Sequence, residues 1–342
     1  MLKKICYKSW FSTVILAILL IIFSGVSLFV GVLDIMPGEL LSGNAEQMEL
    51  FLISRLPRLL AILCTGMGMS VAGLIMQQLC MNKFVSPSTG ATISAAKFGI
   101  LLALLFMPNS TIWSRALFSF VFAILGTWIF VWFIQRIQFK DTVMVPLVGI
   151  MFGNVIGGMT SFLAYQFEMT QALSSWEVGH FSLVIRGRYE LVYMVVPLLI
   201  IAFIFANHFN IVGMGKDFSK NLGVHYNLVL FSGLTIAAVI TASVVVIVGS
   251  ISFVGLIVPN IVGMFKGDKI RGTLIDTALF GALFVLICDM LGRIVIAPYE
   301  IAIELIIGII GSAMFIGILF YRLRHGRKAI RLGVKKKGGE AA

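Results

Sequence analysis

Charge is the scarcest thing in this chain. Lys, Arg, Asp and Glu together make up 12% of its 342 residues, against roughly 25% in an average soluble domain. Residues 226–265 form a forty-residue stretch with none at all. A membrane span needs about 20 apolar residues, so this stretch is too long for one span and suits two. Cysteine is also sparse. The four, Cys6, Cys64, Cys80 and Cys288, sit at no metal-ligand spacing. Three lie in apolar runs, where a thiol acts as a small hydrophobe. The four histidines, His180, His208, His225 and His325, are scattered and form no metal pair. No Gly-x-x-x-x-Gly-Lys-Ser/Thr phosphate loop occurs, and the pair Gly215-Lys216 lacks the upstream glycine. Nucleophile elbows and zinc-protease motifs are missing too. These absences leave no catalytic residue, no metal site and no cofactor to expect. Any energy for pumping comes from a partner or an ion gradient.

What is present is apolar. The hydrophobic fraction is 59% and the mean hydropathy +1.04, with 34 Gly and 17 Met. Glycine is frequent in membrane helices, where it lets backbones approach closely. Lys3, Lys4 and Lys8 precede an uncharged run of 22 residues at 12–33. That run exceeds the h-region of a signal peptide, about 7–15 residues. No Ala-x-Ala-like site closes it, so it reads as a retained first span. Further runs lie at 59–82, 98–114, 116–135, 142–167 and 191–215. The forty-residue stretch is broken at Gly249-Ser250 and Pro259. A segment at 273–298 holds Asp276, Asp289 and Arg293, and a last run covers 305–321. The expectation is an all-α polytopic membrane protein of about ten spans in one transmembrane domain. Residues 1–11 form its N-terminus, 12–321 its spans and 322–342 a basic tail.

The net charge of +11 suggests nucleic acid until its distribution is seen. With ten spans and both termini cytoplasmic, twenty of the 26 Lys and Arg fall inside and six outside, as the positive-inside rule requires. The lipid bilayer, and no nucleic acid, is the partner this distribution fits. Acids collect outside: Asp34, Glu39, Glu46, Glu49, Glu168, Glu177, Glu190, Glu300 and Glu304. The basic tail reads as a topology anchor near anionic lipid.

Four segments stand out. Arg55 and Arg58 open the second span on the side where positive charge is scarce. They are either interfacial anchors or a docking patch for an acidic partner. Gln77 and Gln78 are polar at the inner membrane edge, before the break at residues 82–90. The stretch 214–226 is amphipathic, with Asp217 placed to cap a short helix. It is a connector or a helix gripped by a cytoplasmic partner. Around Phe253, Pro259 and Asn260 the chain suggests a kinked or short helix. Irregular backbone at membrane depth is tolerated only where protein or a watery cavity satisfies it, so this segment is a candidate to line a pathway.

RLPRLLAILCTGMGMSVAGLIMQQLCMNKFVSPSTGATISAAKFG (55–99) and SISFVGLIVPNIVGMFKGDKIRGTLIDTALFGALFVLICDMLGRIVIAPYEIAIELIIGIIGSAMF (250–315) resemble the signature stretches of the iron-siderophore and vitamin B12 ABC-importer permeases. The resemblance covers roughly residues 52–319. It implies a type II importer permease fold, with ten spans in two inverted-related halves. A second permease subunit, identical or paralogous, would complete a central pathway. A cytoplasmic ABC ATPase dimer would drive it, and an extracellular or periplasmic siderophore-binding protein would deliver the cargo. By position it implies that Arg55, Arg58 and Arg293 face that binding protein. It also implies that Lys216, Asp217, Phe218, Lys220, Leu222 and Gly223 couple to the ATPase. The family usually has His after the Pro of its FVGLIVP stretch; Asn260 here argues against an essential protonatable role at that position.

Cargo is the open point. A ferric siderophore, with the catecholate type foremost, is favoured by overall resemblance, and haem and cobalamin are the alternatives. A different class of reading is a proton-coupled secondary transporter using Asp276, Asp289 and Glu304 as a relay.

Overall fold

The computed structural model describes residues 2–31, 45–136, 143–187, 189–267 and 269–338. Asp34, Glu39, Lys140 and Arg188 lie outside the described residues, as do the side chains of Lys3, Lys4, Lys8 and the basic tail. Among the described residues every regular element is helical. In order these are α1 (Leu2–Phe29), α2 (Leu56–Leu79), α3 (Thr92–Phe106), α4 (Ile112–Arg136), α5 (Met144–Gln166), α6 (Thr170–Glu177), α7 (Val195–Val212), α8 (Lys216–Asn221), α9 (Tyr226–Val248), α10 (Val254–Lys266), α11 (Ile270–Ile294) and α12 (Ile303–Gly338).

Among the described residues eight helices are long and apolar enough to cross a bilayer, against about ten spans expected; the other two expected segments correspond to shorter apolar helices, α3 and α10. At about 1.5 Å per residue, the 15 residues of α3 and the 13 of α10 fall short of a hydrocarbon core of about 30 Å. Each follows an irregular stretch. Each also starts on a non-glycine residue in the left-handed region, Ala91 at φ 60° and Phe253 at φ 66°.

The two breaks are related. A helix of 24 residues (α2) leads through residues 80–91 into α3 and then the 25-residue α4. A helix of 23 residues (α9) leads through 249–253 into α10 and then the 25-residue α11. α2 runs from Arg58 toward Lys83, and Lys83 O accepts a hydrogen bond from Asn260 in α10, which itself runs toward Lys266. The two units thus run in opposite directions, as two inverted halves. Hereafter the end bearing Arg58 is the arginine end and the end bearing Lys266 the lysine end.

The core is built from α2, α9 and α11. The α2–α11 contact is the most extensive in the molecule, and it depends on small residues. A Cβ on Gly66 would stand 2.5 Å from Gly281 O and 2.6 Å from the Ala282 Cα. The Ser70 hydroxyl bridges the same seam, 2.8 Å from Gly66 O and 3.0 Å from Thr277 O. Close approach of this kind takes the place of a hydrophobic drive, which lipid cannot supply.

Two expected boundaries are corrected. The second span does not open at Arg55: a helix Ala45–Leu50 and a π-turn Phe51–Arg55 lead into α2 without a break, because paired arginines can lie within a helix. The third does not begin at residue 98. Lys97 lies inside α3, which closes just before Pro108, a residue whose ring disfavours a helical predecessor.

Gly66→Ala should lower the melting temperature of the detergent-extracted protein, because overpacking such a seam costs about 1–3 kcal/mol. Gly157→Ala on α5, where a Cβ meets nothing within 4 Å, should leave it unchanged. Equal melting temperatures for the two variants would contradict the close α2–α11 approach.

Candidate functional site

The outer helices α5 and α12 flank an opening. α5 packs on α3, α4 and α6, and α12 on α10 and α11; the two make no extensive contact with each other. Between them lies a cavity of about 500 Å³ whose walls include Phe84, Thr89, Pro146, Ser252, Phe253 and Phe315. Its floor is made of the two helix breaks. Phe84, from the first break, meets Phe315 of α12 edge to face at 5.9 Å.

Open backbone in these breaks is satisfied locally. Phe84 N–H donates to Asn82 Oδ1 (2.9 Å) and Ser86 N–H to Thr89 Oγ1 (2.9 Å). In the second break Ser250 N–H donates to Trp176 O (3.2 Å), and His180 N–H to Val248 O (3.0 Å). Glu304, at the start of α12, accepts from the Ser250 and Ser252 hydroxyls at 3.3 and 3.4 Å and from Gly179 N–H at 3.4 Å.

Of the five residues expected to line a pathway, Phe253 does line the cavity. Gln77 and Asn260 are buried and occupied. Gln77 Nε2 donates to Gly255 O and Leu256 O, both at 3.2 Å. Asn260 Nδ2 donates to Lys83 O (2.8 Å) and Leu256 O (2.6 Å). These amides staple α10 to α2 and to the first break, which is why polar residues sit there. Pro259 is buried inside α10, and Gln78 lies against Gly213 at the end of α7. What the sequence reading missed is the pair Phe84 and Phe315, which look like ordinary membrane phenylalanines until the fold brings them together.

The structure does bring Arg55, Arg58 and Arg293 together, but inside the protein. Arg58 holds Glu300 through Nη1 (2.8 Å) and Asp289 through Nη2 (2.8 Å). Arg293 pairs with Asp289 at 2.7 Å and donates to Val30 O (2.6 Å) and Ser27 Oγ (2.6 Å). Arg55 Nη1 donates to Val30 O at 3.1 Å. Arg55 is only 8% exposed and Arg293 only 4%. The network ties α1, α2, α11 and the 295–302 turn together at the arginine end.

A second buried pair closes the lysine end. Lys266 of α10 meets Asp276 of α11, and Thr13 Oγ1 of α1 donates to Asp276 at 2.6 Å. The three carboxylates expected of a proton relay are therefore separated. Asp276 and Asp289 are held at opposite ends of α11, and Glu304, at the start of α12, is held by Ser250 and Ser252 of the second break. They form no chain.

The segment 216–223 is a two-turn prominence. Gly215, at φ 110°, starts α8, and the buried Ser219 hydroxyl donates to Gly215 O (2.7 Å), with Ile211 O at 3.1 Å. Lys216, Asp217, Phe218, Lys220, Leu222 and Gly223 are all exposed. Phe218 and Leu222 are 47% and 54% exposed, large apolar groups beside three charges.

The model of the FecCD transport family matches residues 16–321. The chain is 47% identical over 307 residues to the petrobactin import system permease protein YclN of Bacillus subtilis, covering 90% of this chain and 97% of that one. It is 36% identical to the ferric-anguibactin transport system permease protein FatD of Vibrio anguillarum, covering 86% and 93%. Its fold matches a chain of a metal-chelate type ABC transporter in an inward-facing conformation, with a TM-score of 0.77 at 23% identity over 90% of this chain.

Asp289→Asn should destabilise the extracted protein by about 3–5 kcal/mol, because it removes one partner of a buried ion pair. Adding Arg293→Met should recover part of that loss. An unchanged melting temperature in Asp289→Asn would mean that the arginines are not held by this network.

Proposed function

Since the chain belongs to the FecCD transport family, we propose that it is the membrane-spanning permease subunit of an ABC importer and that its cargo is a ferric siderophore, of catecholate type. The relatives' names supply the cargo class: petrobactin in one, ferric anguibactin in the other. The observation that carries the reading is the open cleft between α5 and α12, floored by two broken helices. Broken helices at membrane depth are found where a pathway is lined. A single chain leaves that pathway open on one side. A second permease subunit, identical or paralogous, closes it.

The lysine end is the cytoplasmic end. Lys83, Lys216, Lys220, Lys266, Lys269 and Arg271 cluster there, and this fits the positive-inside rule. Both termini then face the cytoplasm. The exposed prominence at α8 lies at that end and offers Phe218 and Leu222 to an ATPase subunit. ATP is hydrolysed by that partner, since this chain carries no phosphate loop. The arginine end faces outward, toward a binding protein that delivers the cargo. The arginine network serves docking from within: it fixes the outer ends of α1, α2 and α11, on which a rigid partner would rest.

Deleting this chain should abolish uptake of radio-iron presented as a ferric catecholate, and its return should restore uptake. A strain that takes up the chelate equally well without the chain refutes the transport reading. Phe218→Asp with Leu222→Asp should leave the protein in the membrane at normal abundance. Uptake should fall at least tenfold, and stimulation of ATP hydrolysis in the assembled complex should be lost. Normal coupling in that variant would make α8 a mere connector.

A further inference from the structure

A second cavity, of about 390 Å³, lies at the arginine end, apart from the cleft. The turn before α4 supplies Ser110 and Thr111 to its wall, α4 itself Arg115, α6 Trp176, and the stretch after α6 His180. Leu183, Val184 and residues 246–248 at the end of α9 form its apolar side, and no Asp or Glu lines it.

Arg58, Arg293 and Lys266 each meet a carboxylate. Arg115 meets none among the described residues. Its Nε donates to Ser110 Oγ (2.9 Å) and its Nη2 to Ser110 O (3.1 Å), and the guanidinium lies 5.8 Å from the centre of the Trp176 ring. These contacts hold the fork in place and leave Nη1 with no acceptor among the described residues. An arginine that only anchors a helix end reaches out to water; this one is half-buried and turned into a cavity. Ser110 Oγ accepts from Arg115, so its own proton is uncommitted. His180 Nδ1 lies 2.8 Å from Val178 O, which can only accept, so Nδ1 carries a proton and Nε2 of the neutral ring is left to accept. Ser175, on the same wall, already donates to Ala172 O and adds nothing.

Depth decides what reaches this cavity. α4 has 25 residues, about 37 Å at about 1.5 Å per residue, more than a hydrocarbon core of about 30 Å. Its first turn therefore reaches the headgroup region. Trp113 in that turn is 62% exposed and Leu117, one turn further in, 61%; an aromatic followed by aliphatic residues marks the edge of a bilayer. Arg115 sits between them, at the level of lipid phosphates.

We propose that this cavity binds the phosphate headgroup of an anionic phospholipid from the leaflet at the arginine end. The Arg115 fork pairs with phosphate oxygens, Ser110 adds its hydroxyl, and His180 Nε2 accepts from a headgroup hydroxyl. With no acid in its wall the cavity has nothing to offer an ammonium group, so phosphatidylglycerol fits it better than phosphatidylcholine. The apolar side takes the start of an acyl chain. Gly249, the first residue of the second helix break, also lines the cavity, so a bound lipid braces that break from the arginine end. The site holds whatever the cargo is.

The test uses the full chain, extracted in a neutral detergent and stripped of lipid. Phosphatidylglycerol, phosphatidylcholine and inorganic phosphate are titrated separately. Native mass spectrometry counts bound lipid, and thermal melting reports stability. One phosphatidylglycerol per chain should bind more tightly than any further copies and raise the melting temperature, as a ligand of the folded state does. Phosphatidylcholine should do so far less. Arg115→Gln should weaken the tight site about tenfold, equivalent to ~1.4 kcal/mol. Arg115→Lys, which keeps the charge, should retain most of the affinity. Arg136→Gln, at the other end of α4 and outside the cavity, should retain all of it. Equal responses to the two lipids overturn the proposal without recourse to any variant. So does inorganic phosphate alone reproducing the stabilisation, which would make this a site for a soluble anion. Full lipid affinity in Arg115→Gln also overturns it, and if that variant loses affinity for the delivering protein instead, the cavity is a protein-docking face.

Discussion

Everything in this molecule depends on one constraint: inside a bilayer, protein must satisfy what water would otherwise satisfy. α11 shows how. It carries two buried acids, Asp276 and Asp289, about three and a half turns apart at 3.6 residues per turn. Each meets a cation from another helix, Lys266 of α10 at one end and Arg58 of α2 at the other. α1 joins both sites, through Thr13 and through Ser27 and Val30. A buried ion pair is poor evidence of stability gained, since desolvation consumes most of the attraction. Its value here is register. A helix slid by one turn along α11 would strand a charge in hydrocarbon, so the two clusters fix how α1, α2, α10 and α11 sit along one another.

The same constraint separates a closed side from an open one. α2 packs at backbone distance on α11 through Gly66 and Gly281 and on α10 through Gly73 and Gly255. α5 and α12 are held only at their inner faces and leave a cleft. The broken helices lie under that cleft, and their inner residues, Ile93 and Val258 among them, join the packed core. Phe84 and Ser86 N–H donate to the Asn82 and Thr89 side chains, Phe84 O accepts from the Thr89 hydroxyl, and Ser250 N–H donates to Trp176 O. A transport path needs polar groups at membrane depth, and helix breaks supply them without a charged residue at every step.

The sequence made the spans legible because their signal is long and one-dimensional. Ten apolar segments, the break at Gly249-Ser250 and the exposed prominence at 216–223 all follow from local composition. Side-chain roles were less legible, because they are decided by residues far away in the chain. Gln77 and Asn260 look like path residues in isolation; their amides turn out to serve carbonyls 178 to 179 and 177 residues away. Arg293 looks like a surface cation until Ser27 and Val30 are found beside it. Lys97 was misplaced for the opposite reason. A single lysine ends an uncharged run, so a reading based on runs puts it in a loop, whereas α3 continues through it for another turn and a half on its N-terminal side.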